Sequence, residues 1–253
     1  MNKNLQAKPF VKWAGGKTQL LEQLSVRLPE EIRRSGVTSS YIEPFVGGGA
    51  FFFYLRSNFK IKKAYLLDIN RELILAYKVI QLKPEELITR LRQLENSYLV
   101  LLPEARKEFF YNIRSLYNEQ MYRIDYDNFS NAWIERAAYM IFLNKTCFNG
   151  LFRQNRKGEF NVPHGRYRNP TICDAQNIRR VSAALAGVKL IRGDFELANA
   201  YVSSDSFVYF DPPYRPLSAT SNFTGYAKED FNDDDQIRLA RFFSQLHGKG
   251  ARL

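Results

Sequence analysis

Two neighbouring stretches, YIEPFVGGGAFFF at residues 41–53 and AYLLDIN at 64–70, limit the fold more than anything else in the chain. Residues 41–45 predict a short strand, Gly47, Gly48 and Gly49 a tight turn, and an apolar helix follows from Ala50. Residues 63–67 predict a second strand that closes on Asp68. Strand, glycine turn, helix, strand, acid is how an open α/β sheet begins, and such sheets gather ligands beyond the carboxyl ends of their strands. The glycines let the backbone approach a ligand and turn a helix N-terminus toward it. Asp68 could accept hydrogen bonds from ribose hydroxyls. A nucleoside-bearing cofactor fits this pattern, and the spacing is not G-x-G-x-x-G, which weighs against a dinucleotide. Each motif alone also fits an ordinary turn at a strand end.

The rest of the chain is organised around that core. Leu20, Leu21, Leu24 and Leu28 share one face of a helix expected over residues 18–28, which Pro29 ends. Helices are expected over 70–81, 84–97, 103–119 and 130–143, with Pro84 and Pro103 at first-turn positions. Leu87, Ile88, Leu91 and Leu94 form one apolar stripe, and Phe109, Phe110, Ile113, Leu116 and Tyr117 another. Four helices with no strand between them break the α/β alternation and predict an inserted helical domain. Residues 148–170, rich in Gly, Asn and Arg, contain Lys157-Gly158 as a hairpin turn. Strands resume at 188–191 and 207–210, and Asn232 caps a final helix whose Ile237, Ala240 and Phe243 are expected to face inward. KGARL, at 249–253, has the pattern of the entry to another strand.

A formal charge of +11, from 37 Lys and Arg against 26 Asp and Glu, suits a polyanionic partner, since each neutralised phosphate releases counterions. A merely basic protein gives the same number. No run of about 18 apolar residues predicts a membrane span, and the first ten residues lack the apolar stretch of a secretion signal. Cys147 and Cys173 are too few for a disulfide framework and fit a reducing, cytoplasmic setting. His164 and His247 lie far apart with no ligand-spaced partners, so no metal is expected.

The stretch SFVYFDPPY, at 206–214, carries the chemistry. Pro212 and Pro213 fix φ and donate no N–H, leaving peptide carbonyls free of ladder bonds beside the Asp211 carboxylate. Two fixed acceptors are what a planar aromatic amine needs to become a nucleophile. Gripping both N–H bonds from Asp211 and the Pro212 carbonyl favours a tetrahedral nitrogen whose lone pair can attack a methyl donor in line. Tyr214 offers a face on which a base can stack, worth about 1–3 kcal/mol.

In this order, FVKWAGGK, EPFVGGGAFF, DIN, GDFE and YFDPPYRPLSATSNFTGY resemble the motifs of Dam-type DNA adenine methyltransferases of the D12 class, and FNGLFRQNRKGEFNVPHGRY resembles their target-recognition hairpin. The likeness runs from about Pro9 to the last helix. It implies a Rossmann-like S-adenosylmethionine-dependent α/β sheet with an inserted, mainly helical recognition domain carrying a β-hairpin. The catalytic domain would comprise residues 1–69 and 188–253, and the recognition domain 70–187. Carried over by motif, Trp13, Lys17, Asp68 and Asp211 would contact S-adenosyl-L-methionine, with S-adenosyl-L-homocysteine as product. Phe45, Gly47 and Gly49 would line its methionine end, and Asp194 and Phe195 would hold its adenine. Asp211, Pro212 and Tyr214 would act on an adenine flipped out of duplex DNA. The family typically methylates GATC. Arg153 matches its guanine reader, Leu151 and Pro163 match apolar contacts to thymine, and Lys12 matches a residue reaching the first guanine. Asn149, Asn155, Arg166 and Tyr167 complete the implied DNA-contacting set. Lys145, Arg156, Lys157, Arg166 and Arg168 suit phosphates.

The family sheet continues past the last helix, whereas this sequence stops at Leu253, so a missing strand and an unpaired edge are expected. Two other functions stay open at this level. One is methylation of a different planar amine, though such enzymes tend to carry Ser or Asn where Asp211 stands. The other is DNA binding with impaired catalysis. A monomer or weak dimer is expected.

Overall fold

Every strand of the sheet runs parallel to its neighbours, so each must be shielded on both faces. The computed structural model describes residues 6–213 and 231–253. Four strands, β1 (Val37–Glu43), β2 (Lys60–Asp68), β3 (Val188–Arg192) and β4 (Ser206–Val208), lie in the order β3-β2-β1-β4. Successive residues point to opposite faces of a strand and so enter different cores. Tyr41, Leu66 and Phe207 join the larger cluster, while Ile42, Leu67 and Val208 join the smaller one. This three-layer arrangement is the Rossmann-like α/β sheet that the sequence predicts.

The larger cluster is built on α3 (Ala50–Asn58), whose Phe51, Phe52, Phe53 and Leu55 are buried, and on α4 (Arg71–Leu82). α4 packs against β2 and β3 on one side and against α5 (Pro84–Leu99) and α7 (Ala132–Thr146) on the other. α6 (Pro103–Gln120) packs on α7, and α8 (Ala175–Ala184) returns the chain to α4 before β3. The four central helices thus lie where their prolines and stripes predict, with Pro84 and Pro103 in the first turns. Leu116 departs from its stripe and is 37% exposed.

At the centre of the helical layer Arg136 pairs with Glu72, both 1% exposed, at 2.6 Å. Tyr126 Oη donates to Glu72 Oε1 at 2.6 Å, and Arg136 donates to the Tyr117 carbonyl at 2.8 Å. These bonds satisfy groups that would be costly to bury alone.

Two expected helical faces are corrected. Near the N-terminus, a 3-10 turn over Thr18–Leu20 precedes a short α1 (Leu21–Ser25), and α2 (Glu30–Ser35) follows Pro29. The tighter 3-10 winding takes Leu20 off the shared face and leaves it exposed, while Leu28 is buried. On α9 (Asp233–Gly248) the inward residues are Leu239, Phe242 and Leu246. Ile237 and Phe243 are exposed, because two stripes of similar spacing exist and the sheet takes the one carrying more continuous apolar bulk. Asn232 caps α9 as expected, in a reciprocal capping box with Asp235.

The KGARL pattern is also met. Arg252 bridges Phe207 in parallel, donating its N–H to the Ser206 carbonyl at 2.9 Å and accepting from Val208 N–H at 2.8 Å.

Candidate active site and nucleic-acid interface

The chain crosses from β1 to β2 and β3 on one side, then returns to place β4 on the other side of β1. The direction of winding therefore reverses between β1 and β4, the place where open α/β sheets bind ligands. Glu43-Pro44-Phe45 leaves β1 here, Asp68 ends β2, Gly193-Asp194 follows β3, and Tyr209-Phe210-Asp211 follows β4.

The turn after β1 is fastened to the end of β2. Asp68 Oδ2 accepts the Gly47 N–H at 3.0 Å, and Asp68 Oδ1 accepts the Asn70 N–H at 2.8 Å. The Asn70 side chain then caps α4 through the Glu72 and Leu73 N–H groups. Burial pushes the Asp68 carboxyl up to about 6 against those two backbone bonds. Gly47 and Gly49 take left-handed φ values of +48° and +70°. A Cβ on Gly47 would meet the Trp13 ring at 3.0 Å, and one on Gly49 would meet Tyr77 Oη at 2.5 Å. Only glycine leaves this cradle open.

Asp211 is reached from far away in sequence. Lys17 Nζ donates to Asp211 Oδ1 at 2.6 Å and to the Gly15 carbonyl at 2.7 Å. Burial raises the Asp211 pKa, and the Lys17 hydrogen bond and charge oppose that rise. The Asp211 side chain keeps 23% of its exposure and, with Pro212, Pro213, Phe210 and α9 residues Gln236 and Ile237, lines a cavity of about 800 Å³. That lining includes neither Asp68 nor the glycine turn.

Sequence reasoning missed Glu43, the last residue of β1. It is 3% exposed and accepts from Tyr41 Oη at 2.8 Å. Burial foremost raises its pKa well above the carboxylate range; the Tyr41 bond opposes this, and the charges of Asp211 and Asp68 add to it. Its only sequence signal is an acid standing between an apolar strand and a proline.

Of the other expected cofactor residues, Phe45 packs on Phe195 with ring centroids 5.5 Å apart. Phe195 is 3% exposed and packs on Phe231 and Phe242 as well. Asp194 accepts the Glu196 N–H at 3.0 Å and pairs with Arg238 at 2.9 Å. Tyr214 lies outside the described residues.

The expected DNA residues gather on the segment after α7. Asn149 (φ 58°) and Arg166 (φ 55°) both take left-handed backbone. Lys12, Asn149, Pro163, Arg166 and Tyr167 are exposed, and Leu151 is half-buried. A hairpin closes with Gln154 bridging Phe160, and Gly158 donates to the Asn155 carbonyl at 2.8 Å in its turn. Arg153 Nε donates to Asn161 Oδ1 at 2.8 Å, which leaves the guanidinium presented from a fixed base. Asn155 Oδ1 accepts from Lys157 and Glu159 N–H, so this side chain shapes the turn. The Trp13 ring stacks on Phe152 at 5.1 Å and 22°, joining the loop that carries Lys17 to the hairpin.

Carboxylates for ribose hydroxyls, a glycine cradle, and aromatic faces for a sulfonium together fit S-adenosyl-L-methionine. Among the described residues no group of three or more His, Cys, Asp or Glu could hold a metal ion, and no helix is long and apolar enough to cross a membrane.

Comparison with known proteins agrees with this chemistry. The family described as D12 class N6 adenine-specific DNA methyltransferase matches residues 13–252. Type II methyltransferase M.MjaIII of Methanocaldococcus jannaschii is 52% identical over 249 residues, covering 98% of this chain and 83% of that protein. Type II methyltransferase M1.LlaDCHI of Lactococcus lactis subsp. cremoris is 42% identical, covering 97% and 79%. The DNA adenine methylase of Vibrio cholerae is 35% identical, covering 91% and 74%. The chain therefore belongs to the D12 class of N6 adenine-specific DNA methyltransferases, S-adenosyl-L-methionine-dependent enzymes that act on DNA.

Proposed function

We propose that this enzyme methylates the adenine N6 of GATC in duplex DNA, with the target base turned out of the stack toward Asp211 and Pro212. The observation that carries the reading is the Asp211 carboxylate, oriented by Lys17 at the end of β4 and open to a cavity beside the prolines. When bound, S-adenosyl-L-methionine supplies an electrophilic methyl group on a sulfonium. Asp211 and the Pro212 carbonyl accept the two N6–H bonds and draw the lone pair out of the ring. That methyl group would pass to N6, with S-adenosyl-L-homocysteine as product, and the proton displaced from N6 would leave to water. Lys17 holds the carboxylate ionised against its burial. Trp13, Phe45, Gly47, Gly49 and Asp68 bind the cofactor; Asp194 and Phe195 hold its adenine.

Residues 1–69 and 188–253 form the catalytic unit, and 70–187 read the DNA. Arg153 reads a guanine, Lys12 the first guanine, and Leu151 and Pro163 pack on thymine methyls. Asn149, Arg166 and Tyr167 contact the DNA around them, and Lys145, Arg156, Lys157 and Arg168 engage phosphates. The protein works in the cytoplasm as a monomer or weak dimer.

Methyl transfer from labelled cofactor to a GATC duplex tests this, with a duplex whose central adenine is replaced as control. Transfer is expected only to the first. Asp211→Ala should abolish transfer and keep salt-sensitive DNA binding. Arg153→Ala should lose discrimination at one guanine; uniform weakening across all sequences would instead make Arg153 a phosphate contact.

A further inference from the structure

The cofactor loop and the DNA hairpin lie far apart in sequence, yet one buried amide holds both. Asn144, in the last turn of α7, is 1% exposed. Its Oδ1 accepts the Lys12 N–H at 2.8 Å, and its Nδ2 donates to the Lys12 carbonyl at 2.9 Å and the Gly150 carbonyl at 2.9 Å. Both amide hydrogens are thereby engaged. The side chain pairs with Lys12 as a neighbouring strand would, and with its second hydrogen it grips the turn that opens the hairpin.

The surroundings leave little slack. A Cβ on Gly150 would come within 2.8 Å of Lys12 Cδ, and the residue after Lys12, Trp13, stacks on Phe152. Trp13 also lies against Gly47, whose N–H is held by Asp68. A continuous path therefore runs from Asp68 through Gly47, Trp13 and Lys12 to Asn144, Gly150 and Arg153. A second amide, Asn177 on α8, makes the same two-bond fork to Lys8 at 2.9 and 3.0 Å, without touching the hairpin. Because releasing either carbonyl would leave a buried amide hydrogen of Asn144 unsatisfied, Asn144 ties Lys12 to Gly150.

We infer that Asn144 is a positioning residue that couples target recognition to cofactor binding. Seating the hairpin on DNA fixes Gly150, and through Asn144 it fixes the backbone that presents Trp13. By reciprocity, cofactor bound against Trp13 strengthens DNA binding by the same factor. This rests on Trp13 belonging to the cofactor site and the hairpin to the DNA site.

Calorimetric titration of S-adenosyl-L-homocysteine, which cannot turn over, tests it. The titration is run on the protein alone and on the protein saturated with a duplex that the wild type methylates. The wild type should bind about fivefold or more tightly with duplex present. In Asn144→Asp, whose carboxylate faces two carbonyls, that ratio should fall to within about twofold of unity. Asn177→Asp, which loses a similar fork away from the hairpin, should keep the wild-type ratio. If Asn144→Asp does not fold, Phe152→Leu, which removes the Trp13 stack, should lower the ratio instead. A wild-type ratio of one, or a wild-type ratio surviving in Asn144→Asp, overturns the coupling. A Trp13→Ala protein with unchanged affinity overturns the cofactor assignment beneath it, a separate result.

Discussion

Replacing Asp68 by Asn separates the stability of the strand end from its function. Burial raises the Asp68 pKa from 3.8 to about 6, so the folded state holds a proton that the unfolded state has already released between those values. The sign follows: stability falls as pH rises through that window, and above about 6 the folded protein carries the full cost of a desolvated carboxylate, about 3 kcal/mol. Asparagine removes the charge and keeps one carbonyl oxygen. It satisfies only one of the two N–H groups that Asp68 accepts, from Gly47 and Asn70. Losing that bond costs about 1–3 kcal/mol, which offsets most of the gain at neutral pH. The variant should therefore differ little from wild type in neutral urea unfolding. The difference between them should shift toward the variant by about 2 kcal/mol on going from about pH 4.5 to about pH 7.5. Cofactor binding should separate them more strongly. Wild-type affinity should rise with pH through about 6 as the carboxylate ionises, and Asp68→Asn should bind weakly with no such rise. A stability difference that is flat in pH would show that Asp68 is not desolvated as the fold implies. Wild-type affinity in the variant would remove Asp68 from the cofactor site.

Three further outcomes follow from the geometry. Lys17→Gln removes the group that opposes the rise in the Asp211 pKa, so the acid limb of single-turnover methyl transfer should move to higher pH; an unmoved limb would detach Lys17 from Asp211. Gly49→Ala should destabilise by about 3 kcal/mol in urea, roughly 1–2 of it from left-handed strain. Adding Tyr77→Phe should recover about 1 kcal/mol, since the added Cβ meets Tyr77 Oη, and strict additivity would refute that contact. Arg136→Met should cost roughly 3–5 kcal/mol by leaving buried Glu72 with only the Tyr126 hydroxyl and the more distant Arg71 as partners, and Glu72→Leu in the same chain should restore much of it. Thermal unfolding reads both.

Much of this molecule is written locally. The glycine turn and the acid at the end of β2 are legible because φ freedom and strand periodicity are properties of adjacent residues. The same holds for the prolines opening α5 and α6 and for the Asn232 cap. The motif order also identified the family. Other features were decided only when distant segments met. Which stripe of α9 faces the sheet depended on the surface left uncovered by β1, β2 and β4, and two stripes of similar spacing competed for it. The Lys17–Asp211 pair joins residues 194 positions apart, and Glu43, Asn144 and the Trp13–Phe152 stack take their meaning from neighbours supplied by the fold. Local conformational preference is encoded within a few residues, whereas the burial of a charge or an amide is set by whatever the rest of the chain packs against it.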